Sequence, residues 1–509
     1  MRDIILISDN PMTLGVQFIV GYLREQTDLW KHFRPSAVLS AASDFSKIEV
    51  PYTDAELNHL IGFLQSRQPS VVGISSTERT RTRLPAIVPE LRKILPGTVF
   101  IAGGVDAVSE PDFYIERGVD LVANGDGETP VEHLLGRLLE GASRESIIKQ
   151  PPQGFLSRLR KDSAPAHSPE KMPLPYYGND LHRLTAEGVF IFSALPQNPR
   201  HVQFLNRANA IDMYTQRGCT HQCSFCAQDL LSVYRNDSRR NSRRRRLDDI
   251  TNYLRELKEA CPDGSFVYFW DLDFLRRPRQ EISEFAKAYR KSVGIPFFIF
   301  CTEKSVNAAG AGLIGALVDS GLKTINMGLQ SGSERVLRDV YKRNNTPQES
   351  REAVQIIHQA TRKADVEILY DVITYNPAET LEEIEETINL VSDIPTDGKQ
   401  IIRLSTHKLS FNTGQSLSAS EKNRTTEDYQ DFVTNVDIYQ RTQSPYLSWL
   451  LGQMLRGRIT RSRLGSIRRE YLPSLLESEY VSRMDADKDL LAVIYKAFVP
   501  RDNEAFLET

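Results

Sequence analysis

Short apolar runs separated by helical segments are the feature that most restricts how this chain folds. Four such runs in the first 150 residues predict buried strands: 4–8, 70–75, 99–104 and 119–123. Segments with helical spacing lie between them, for example 15–25 and 84–95. Strands that are apolar on both faces and alternate with helices are typical of a parallel sheet covered on both sides. We therefore predict a doubly wound α/β domain over residues 1–150.

A second β/α pattern begins after residue 205. Six apolar runs there predict strands: 210–216, 266–270, 297–300, 324–329, 366–370 and 401–404. They predict a partial (β/α)6 barrel over 206–415, whose chemistry is expected at the carboxyl ends of the strands. Residues 151–205 are rich in proline, glycine, serine and asparagine, which predicts a linker or wrapping segment. The helical pattern of residues 416–509 predicts a helical C-terminal domain.

The composition restricts the partners and the compartment. The 63 Lys+Arg and 66 Asp+Glu residues leave a net charge of −3, without the basic excess that wraps nucleic acid. No run approaches the ~20 apolar residues that span a bilayer, and the N-terminal run is too short for a signal peptide. Five cysteines in 509 residues are too few for a disulfide scaffold. We predict a cytoplasmic protein with no membrane or nucleic-acid partner.

Three of the five cysteines lie within eight residues, directly after a predicted strand. Cys219, Cys223 and Cys226 have the spacing CxxxCxxC. Three thiolates on one loop can ligate three irons of a four-iron cluster and leave the fourth iron open. Two other interpretations stay open: a zinc site completed by His221, and packing of three cysteines as small apolar side chains.

The segment from Arg217 to Cys226 resembles the signature of the radical S-adenosylmethionine enzymes, and the resemblance covers about residues 205–415. It implies that the three cysteines bind a 4Fe-4S cluster whose open iron chelates S-adenosylmethionine. Reductive cleavage of that cofactor then gives a 5′-deoxyadenosyl radical, which abstracts a substrate hydrogen. The resemblance also implies an electron donor such as flavodoxin or a dedicated reductase. Phe225 resembles the family residue that packs against adenine.

The segment 327–334 resembles the family's fourth-strand segment, where polar side chains meet the cofactor. The resemblance implies cofactor binding by Gln330, Ser331 and Glu334. Arg403, on the sixth predicted strand, is a further candidate because it can pair with a carboxylate. The alternative for the Ser-Gly-Ser-Glu sequence is an ordinary helix cap.

The N-terminal 145 residues resemble the cobalamin-binding domain that precedes many radical S-adenosylmethionine enzymes. The segments that carry this resemblance are GIS at 73–75, AGGVD at 102–106 and NGDGET at 124–129. No Asp-x-His-x-x-Gly follows the first strand, so that loop supplies no axial histidine to cobalamin.

The loop over residues 76–83 departs from this pattern because it carries Glu78, Arg79 and Arg81. An unpaired charge buried against a corrin face costs several kcal/mol. We therefore expect a domain that keeps the fold without retaining cobalamin. The alternative is that these charges face solvent at the start of a helix.

Four carboxylates follow predicted strands and are candidate catalytic residues: Asp271, Asp273, Glu303 and Asp371. In an extended segment, Asp271 and Asp273 face the same side. A mouth lined by carboxylates suits general acid and base catalysis and a cationic or polyhydroxylated small-molecule substrate. The alternative for each carboxylate is helix capping or loop solvation.

A run of arginines follows the cysteines: Arg235, Arg239, Arg240, Arg243, Arg244, Arg245 and Arg246. We expect a solvated loop that contacts the C-terminal region or a reductase. A nucleic-acid contact is the alternative, and it accompanies the non-enzyme hypothesis of a metal-stabilised nucleic-acid-binding module.

Two reactions fit the expected enzyme. The favoured one is radical dehydration of a polyhydroxylated, amino-sugar natural product, because the chain resembles the radical dehydratases of aminoglycoside antibiotic biosynthesis. The alternative is cobalamin-dependent methyl transfer to an unactivated carbon. The charged loop at 76–83 and the carboxylates favour dehydration.

Overall fold

The computed structural model describes residues 1–9, 14–40, 50–77, 80–161, 169, 171–191, 210–219, 221, 223–226, 243–260, 266–376, 379, 381–395 and 397–408. The predicted helical domain at 416–509 lies outside these residues, as do Glu78, Arg79, Cys261 and three arginines of the run after the cysteines, Arg235, Arg239 and Arg240. The described residues form two compact units. The first contains residues 1–219 and 226–272, and the second contains 221–225 and 273–408.

Eight strands of the first unit form one sheet: β1 (Arg2–Ser8), β2 (Phe33–Leu39), β3 (Val71–Ser75), β4 (Val99–Gly103), β5 (Leu121–Ala123), β6 (Phe155–Leu156), β7 (Leu181–Thr185) and β8 (Gly188–Ile191). Their order across the sheet is β6-β5-β4-β3-β1-β2-β7-β8. Strands β1 to β5 and β7 run parallel, and β6 and β8 pair antiparallel at the two edges.

Helices cover both faces of this sheet: α1 (Gly15–Glu25), α2 (Asp54–Arg67), α3 (Leu84–Ile94), α4 (Val105–Ser109), α5 (Pro111–Glu116), α6 (Glu128–Leu139) and α7 (Arg144–Lys149). Alternate residues of β1 enter two separate cores. Ile4 and Leu6 belong to the core that contains Val20 of α1, whereas Ile5 and Ile7 belong to the core that contains Leu60 of α2. Burial on both faces confirms the predicted doubly wound domain.

Two features of this sheet differ from the sequence-based expectation. Strand β2 is an additional strand that contains Pro35, which normally argues against a central strand. Pro35 lies opposite Ile4, whereas the pairing of β2 with β7 covers only Ala37 to Leu39, so no ladder bond to β7 is lost there. The predicted linker at 151–205 also contributes β6, β7 and β8 to the sheet, so its proline-rich stretches surround strands.

The second β/α region supplies strands to both units. In the first unit, β9 (Ala210–Met213) and β12 (Phe266–Phe269) are parallel, and β10 (Gln216–Arg217) forms an antiparallel ribbon with β11 (Arg243–Arg244). In the second unit, β13 (Phe297–Cys301), β14 (Leu322–Gln330), β15 (Glu367–Tyr375) and β16 (Ile401–Lys408) form parallel neighbours in this order. All six predicted strands are confirmed.

Helices alternate with these strands, as predicted: α8 (Leu247–Ala260), α9 (Arg279–Ser292), α10 (Glu303–Ser320), α11 (Pro347–Thr361) and α12 (Leu381–Ser392). A single π-helical turn, Val336–Val340, follows β14. Within the described part of the chain, no helix has the length and apolar character needed to cross a bilayer.

The buried carboxylate of Asp120 joins four elements of the N-terminal domain. It precedes β5 and accepts hydrogen bonds from the Phe100 amide (2.9 Å), Arg92 (2.5 Å) and Arg144 (2.7 Å). Asp120→Ala leaves two guanidinium groups and a buried amide without this acceptor. We expect the free energy of unfolding to fall by about 3 kcal/mol, the usual cost of breaking a buried pair. Urea unfolding measures the change.

Asp112→Ala is the matched control, because Asp112 pairs with Lys161 where both side chains are more than half exposed. Exposed pairs contribute about 0–1 kcal/mol. Equal losses in the two variants would contradict the structural role of Asp120.

Candidate cofactor sites

A cleft lies at the carboxyl ends of β3, β4 and β5, beside the start of α1. The chain passes from β1 to β2 on one side and then crosses to β3 on the other, which makes this edge a topological switch point. Doubly wound sheets bind their ligands at such points. The cleft spans about 1410 Å³, including the open space at its mouth. Small residues from the strand ends line it: Ser75, Ser76, Thr77, Gly103, Gly104, Gly125 and Gly127.

Gly104 shapes this cleft through its backbone. Its φ of +94° lies in the left-handed region, and a Cβ at this position would lie 2.9 Å from the carbonyl oxygen of Ser76. Only glycine therefore allows the loops after β3 and β4 to approach this closely. The second glycine of the AGGVD segment is therefore needed for the close approach of these two loops.

Arg81, one of the charged residues after β3, is paired within the domain and does not line the cleft. It donates two hydrogen bonds to Asp106, at 2.9 and 2.6 Å, and its guanidinium lies 4.5 Å from the ring centre of Phe113. The hydrogen-bonded carboxylate of Asp106 raises the pKa of Arg81. Arg81 therefore presents no unpaired charge to the cleft, so it does not support the expectation that the domain fails to retain cobalamin.

Arg83 belongs to a second buried cluster at the end of β1. Its Nε lies 3.7 Å from the carboxylate of Asp9, and its guanidinium lies 4.1 Å from the ring centre of Tyr52. Asp9 also accepts hydrogen bonds from the Tyr52 hydroxyl (2.5 Å) and the Leu84 amide (3.0 Å). Burial raises the pKa of Asp9 to about 6, although these contacts oppose the rise. The loop thus presents Ser75, Ser76 and Thr77 to the cleft.

Residues after β9 form another part of the cleft wall: Tyr214, Gln216, Arg217 and Gly218. Arg217 donates a hydrogen bond to Glu128 at 2.5 Å and lies 3.6 Å from Asp126. The sequence analysis assigned no individual role to Arg217, Glu128 or Asp126. The available signal was the pair of acids in NGDGET and the arginine two residues before Cys219.

The described end of the arginine run is only partly solvated. Arg243 forms an ion pair with Asp126, and the nearly buried Arg245 donates to Glu25 at 2.6 Å and to the carbonyl of Met172 at 2.8 Å. Arg244 and Arg246 are exposed. The expectation of a solvated loop is therefore wrong for Arg243 and Arg245, because carboxylates distant in sequence bind them.

Asp271 is fully buried, and the segment just before the cysteine loop donates hydrogen bonds to its carboxylate. It accepts hydrogen bonds from the backbone amides of Thr215 (2.6 Å) and Gln216 (3.0 Å) and from the Thr215 hydroxyl. Strand β12 ends at Phe269 and residues 272–275 form a turn, so the premise of an extended segment through Asp273 is wrong. These contacts give Asp271 a structural function, while its catalytic role stays a prediction.

Asp273 and Glu303 lie in the second unit and are also buried. Asp273 accepts a hydrogen bond from the Thr302 hydroxyl at 2.8 Å, and burial raises its pKa to about 6. Glu303 accepts from Arg343 at 2.8 Å and from Asn345 at 3.2 Å. Both carboxylates thus stabilise the start of α10. An open mouth was expected at these two residues, but both side chains are buried.

The cysteine loop is partly exposed at Cys219 and Cys226 and buried at Cys223. No three His, Cys, Asp or Glu side chains among the described residues are grouped so as to hold a single metal ion. A four-iron cluster takes its thiolates on separate irons, so its ligands need not surround one ion. Burial lowers the pKa of His221 to about 4, helped by nearby cationic side chains, chiefly Arg343.

Phe225 packs against the chain that follows β14. Its ring meets Tyr341 edge to face at 5.3 Å between ring centres, beside an apolar cluster that includes Ile373. Ser224 fixes the same contact, because its amide donates to the Tyr341 carbonyl at 3.0 Å and its hydroxyl to the Val340 carbonyl at 2.6 Å. The π-helical turn at 336–340 thus supports the loop, and such turns are frequent at functional sites.

Gln330 and Ser331 lie at the end of β14, as predicted. Gln330 has a φ of +64°, which is uncommon for a residue other than glycine and is a feature of functional sites. The hydroxyl of Ser331 donates to Glu379 at 3.0 Å and lies 3.1 Å from the Thr387 hydroxyl. Burial raises the pKa of Glu379 to about 8, so this carboxyl is mostly protonated at neutral pH.

The remaining candidates have different surroundings. Glu334 is exposed, with Arg338 one turn away at 3.9 Å. Arg403 pairs with Glu367, the first residue of β15, and therefore lies toward the amino ends of the strands rather than the expected carboxyl ends. Asp371 lies within β15, is half-buried and accepts a hydrogen bond from Asn326 at 3.1 Å. Cofactor or catalytic roles for these three residues stay predictions.

Comparison with known families gives both domains an identity. Residues 213–391 match the radical SAM superfamily, and residues 12–135 match the B12 binding domain. The chain therefore carries an N-terminal B12-binding domain followed by a radical SAM domain.

Two solved structures share this fold. The cobalamin-dependent S-adenosylmethionine radical enzyme OxsB, with aqua-cobalamin bound, has a TM-score of 0.57 at 15% identity over 79% of this chain and 53% of its own. The radical S-adenosylmethionine methyltransferase TsrM from Kitasatospora setae, with cobalamin and an iron–sulfur cluster bound, has a TM-score of 0.54 at 14% identity over 81% of this chain and 73% of its own.

Curated relatives match only part of this chain. A tRNA-2-methylthio-N(6)-dimethylallyladenosine synthase of Clostridium botulinum (strain Eklund 17B / Type B) is 25% identical over 226 residues, or 43% of this chain and 47% of the relative. The corresponding protein of Thermus thermophilus is 24% identical over 313 residues, or 58% of this chain and 62% of the relative. The matches thus span about half to three fifths of the length of these relatives.

The cysteine assignment predicts a clear loss of iron. Replacement of Cys219, Cys223 or Cys226 by alanine removes one of three cluster ligands, and a cubane needs its thiolates. We expect the iron and sulfide content after anaerobic reconstitution to fall close to zero, together with 5′-deoxyadenosine formation. Zinc in place of iron in the wild-type protein would favour the zinc interpretation.

Cys301→Ala provides the control. Burial raises the pKa of the Cys301 thiol, which donates to the Asn326 carbonyl at 3.6 Å inside the core. A protonated, buried thiol is a poor metal ligand. We expect its iron content to match the wild type, and a loss equal to that of the three loop variants would contradict the assignment.

Proposed function

We propose that this protein is a cobalamin-binding radical S-adenosylmethionine enzyme that transfers a methyl group to an unactivated carbon of a small molecule. The observation that carries the proposal is the make-up of the cleft. The strand ends of the B12-binding domain line it together with residues 214 and 216–218, which lead directly into Cys219. A ligand in this cleft would therefore contact the chain that positions the proposed cluster.

The residues of the cleft fit a corrin. Gly103, Gly104, Gly125 and Gly127 allow a flat macrocycle or its tail to approach the backbone. The serine and threonine side chains after β3 offer small hydroxyl groups, while Arg81 and Arg83 are bound to carboxylates elsewhere. The physical argument against cobalamin therefore loses its basis among the described residues.

The chain's own residues supply attachment and position. Cys219, Cys223 and Cys226 would hold the 4Fe-4S cluster, and Phe225 with Gln330 and Ser331 would bind S-adenosylmethionine. When bound, the reduced cluster and S-adenosylmethionine supply a 5′-deoxyadenosyl radical, and cobalamin supplies a methyl carrier. The half-buried ring of Phe225 packs edge to face against the buried Tyr341, which holds that side of the loop in place. Flavodoxin or a dedicated reductase is the proposed electron donor, and the cytoplasm is the proposed compartment.

Radical dehydration of a polyhydroxylated amino sugar is the second candidate function. It needs carboxylates that exchange protons with the substrate, and Asp371 is the half-buried member of the four predicted carboxylates. The other three are buried, and hydrogen bonds within the protein occupy them. The two candidates differ in a measurable way, because dehydration does not consume the methyl group of S-adenosylmethionine.

Two glycines at opposite ends of β4 allow a matched test of the cleft. Gly103 ends the strand and lines the cleft, and an added Cβ there meets only Ala123 at 3.8 Å. The Cβ of Gly103→Leu therefore meets no backbone atom, and we expect the rest of the side chain to occupy the cleft. We expect the wild type to retain stoichiometric cobalamin after desalting and this variant to retain less than about a tenth, a loss equivalent to at least 1.4 kcal/mol. Corrin absorption measures retention.

Gly97→Leu is the control, because Gly97 precedes the same strand, is exposed and has no atom within 4 Å of an added Cβ. It is expected to retain cobalamin like the wild type. Formation of S-adenosylhomocysteine only when cobalamin is present would support methyl transfer. A cobalamin-free wild type that forms 5′-deoxyadenosine alone would overturn the methyl-transfer proposal and support dehydration.

A further inference from the structure

Arg217 is held in the wall of the cleft by two carboxylates that have no part in the proposed chemistry. Its Nη2 donates to Glu128 Oε1 at 2.5 Å, and its Nη1 lies 3.6 Å from Asp126 Oδ2. The guanidinium also lies 4.6 Å from the ring centre of Phe18. The side chains of Arg217, Glu128 and Asp126 are 13%, 2% and 7% exposed, so salt screens these ion pairs only weakly.

A second arginine completes this ion-pair cluster. Arg243 lies opposite Arg217 in the antiparallel ribbon of β10 and β11 and pairs with Asp126. Two guanidinium groups thus face two carboxylates, and their charges balance. A balanced cluster is suited to holding chain segments in place rather than to binding an anionic ligand.

The cluster connects the cleft to the cysteine loop. Asp126 and Glu128 lie in the segment from β5 to α6 and line the cleft, as Arg217 does. Gly218 alone separates Arg217 from Cys219, and its φ of +91° belongs to the left-handed region that glycine favours. With Arg217 fixed and Gly218 in this restricted conformation, the position of Cys219 follows that of Arg217.

We propose that Arg217 is a positioning residue that couples occupancy of the cleft to the stability of the cluster on the cysteine loop. This inference rests on the proposed function, since it takes the cleft as the cobalamin site and Cys219 as a cluster ligand. A corrin bound against the segment 125–128 fixes Asp126 and Glu128, which then hold Arg217 and Cys219. By linkage, each cofactor stabilises the arrangement that the other needs.

The experiment measures the rate at which an iron chelator removes the cluster from the reconstituted full chain, with and without hydroxocobalamin. In the wild type, we expect cobalamin to slow iron release by about fivefold or more, within the usual range of coupling between sites. In Arg217→Gln, the cluster assembles but cobalamin changes the rate by less than about twofold, because the coupling is lost. Arg217→Lys keeps the charge without the two-pronged contact and gives an intermediate value.

Glu128→Gln tests the same contact from the other side and keeps the inference testable if Arg217→Gln folds poorly. Its loss of coupling is expected to equal that of Arg217→Gln. The double variant is expected to lose no more than either single variant, as for two residues that act through one contact. The electron paramagnetic resonance spectrum of the reduced cluster is the second readout. Cobalamin is expected to change it in the wild type but not in these variants.

Arg245→Gln is the control variant. Arg245 belongs to the same arginine run, is 4% exposed and pairs with Glu25 at 2.6 Å, but it does not line the cleft. Full cobalamin protection is expected to remain in this variant. An equal loss of coupling in Arg245→Gln would overturn the inference, because it would indicate general loosening of the unit.

The two proposals fail in different ways. A wild type that assembles no cluster or retains no cobalamin overturns the proposed function and the inference with it. A wild type that holds both cofactors, together with full cobalamin protection in Arg217→Gln and Glu128→Gln, overturns the inference alone.

Discussion

The common direction of β1 to β5 is the constraint on which the rest of the N-terminal domain depends. Because these strands are parallel, the loops that leave them meet at one edge of the sheet. Charged side chains in such a crowded region must be paired or remain in water. Asp9, Asp106 and Asp126 each bind an arginine, and these pairs decide which side chains are left to meet a ligand.

Continuous burial explains which strands the sequence predicts. The core strands read as unbroken apolar runs because helices cover both faces of the sheet, and the same reasoning recovers all six strands of the second β/α region. Strand β2 was missed because Arg34 and Pro35 interrupt its apolar run. Strands β6 and β7 were missed because they are short and lie among proline-rich connections.

The candidate site shows a different limit of sequence reasoning. Residue order places polar side chains near the ends of strands, which is correct for Asp271 and Glu303. It does not reveal the partner of each charge, because the partners are distant in sequence: Arg81 binds Asp106, 25 residues away, and Asp271 binds the amide of Gln216, 55 residues away. Asp271, Asp273 and Glu303 are therefore occupied by hydrogen bonds within the protein, and the cationic or polyhydroxylated substrate stays a prediction.

The placement of β7 has a consequence for the growing chain on the ribosome. Strand β2 has one edge on β1, and its other edge stays uncovered until β7 has been synthesised. Roughly 60 residues separate the ends of β5 and β7, which corresponds to about 3–12 s of synthesis at about 5–20 residues per second. During that interval the nascent sheet presents an open edge of backbone hydrogen-bonding groups, the kind of surface on which other chains can pair. The β2 edge of the nascent domain is therefore exposed for several seconds before β7 can pair with it.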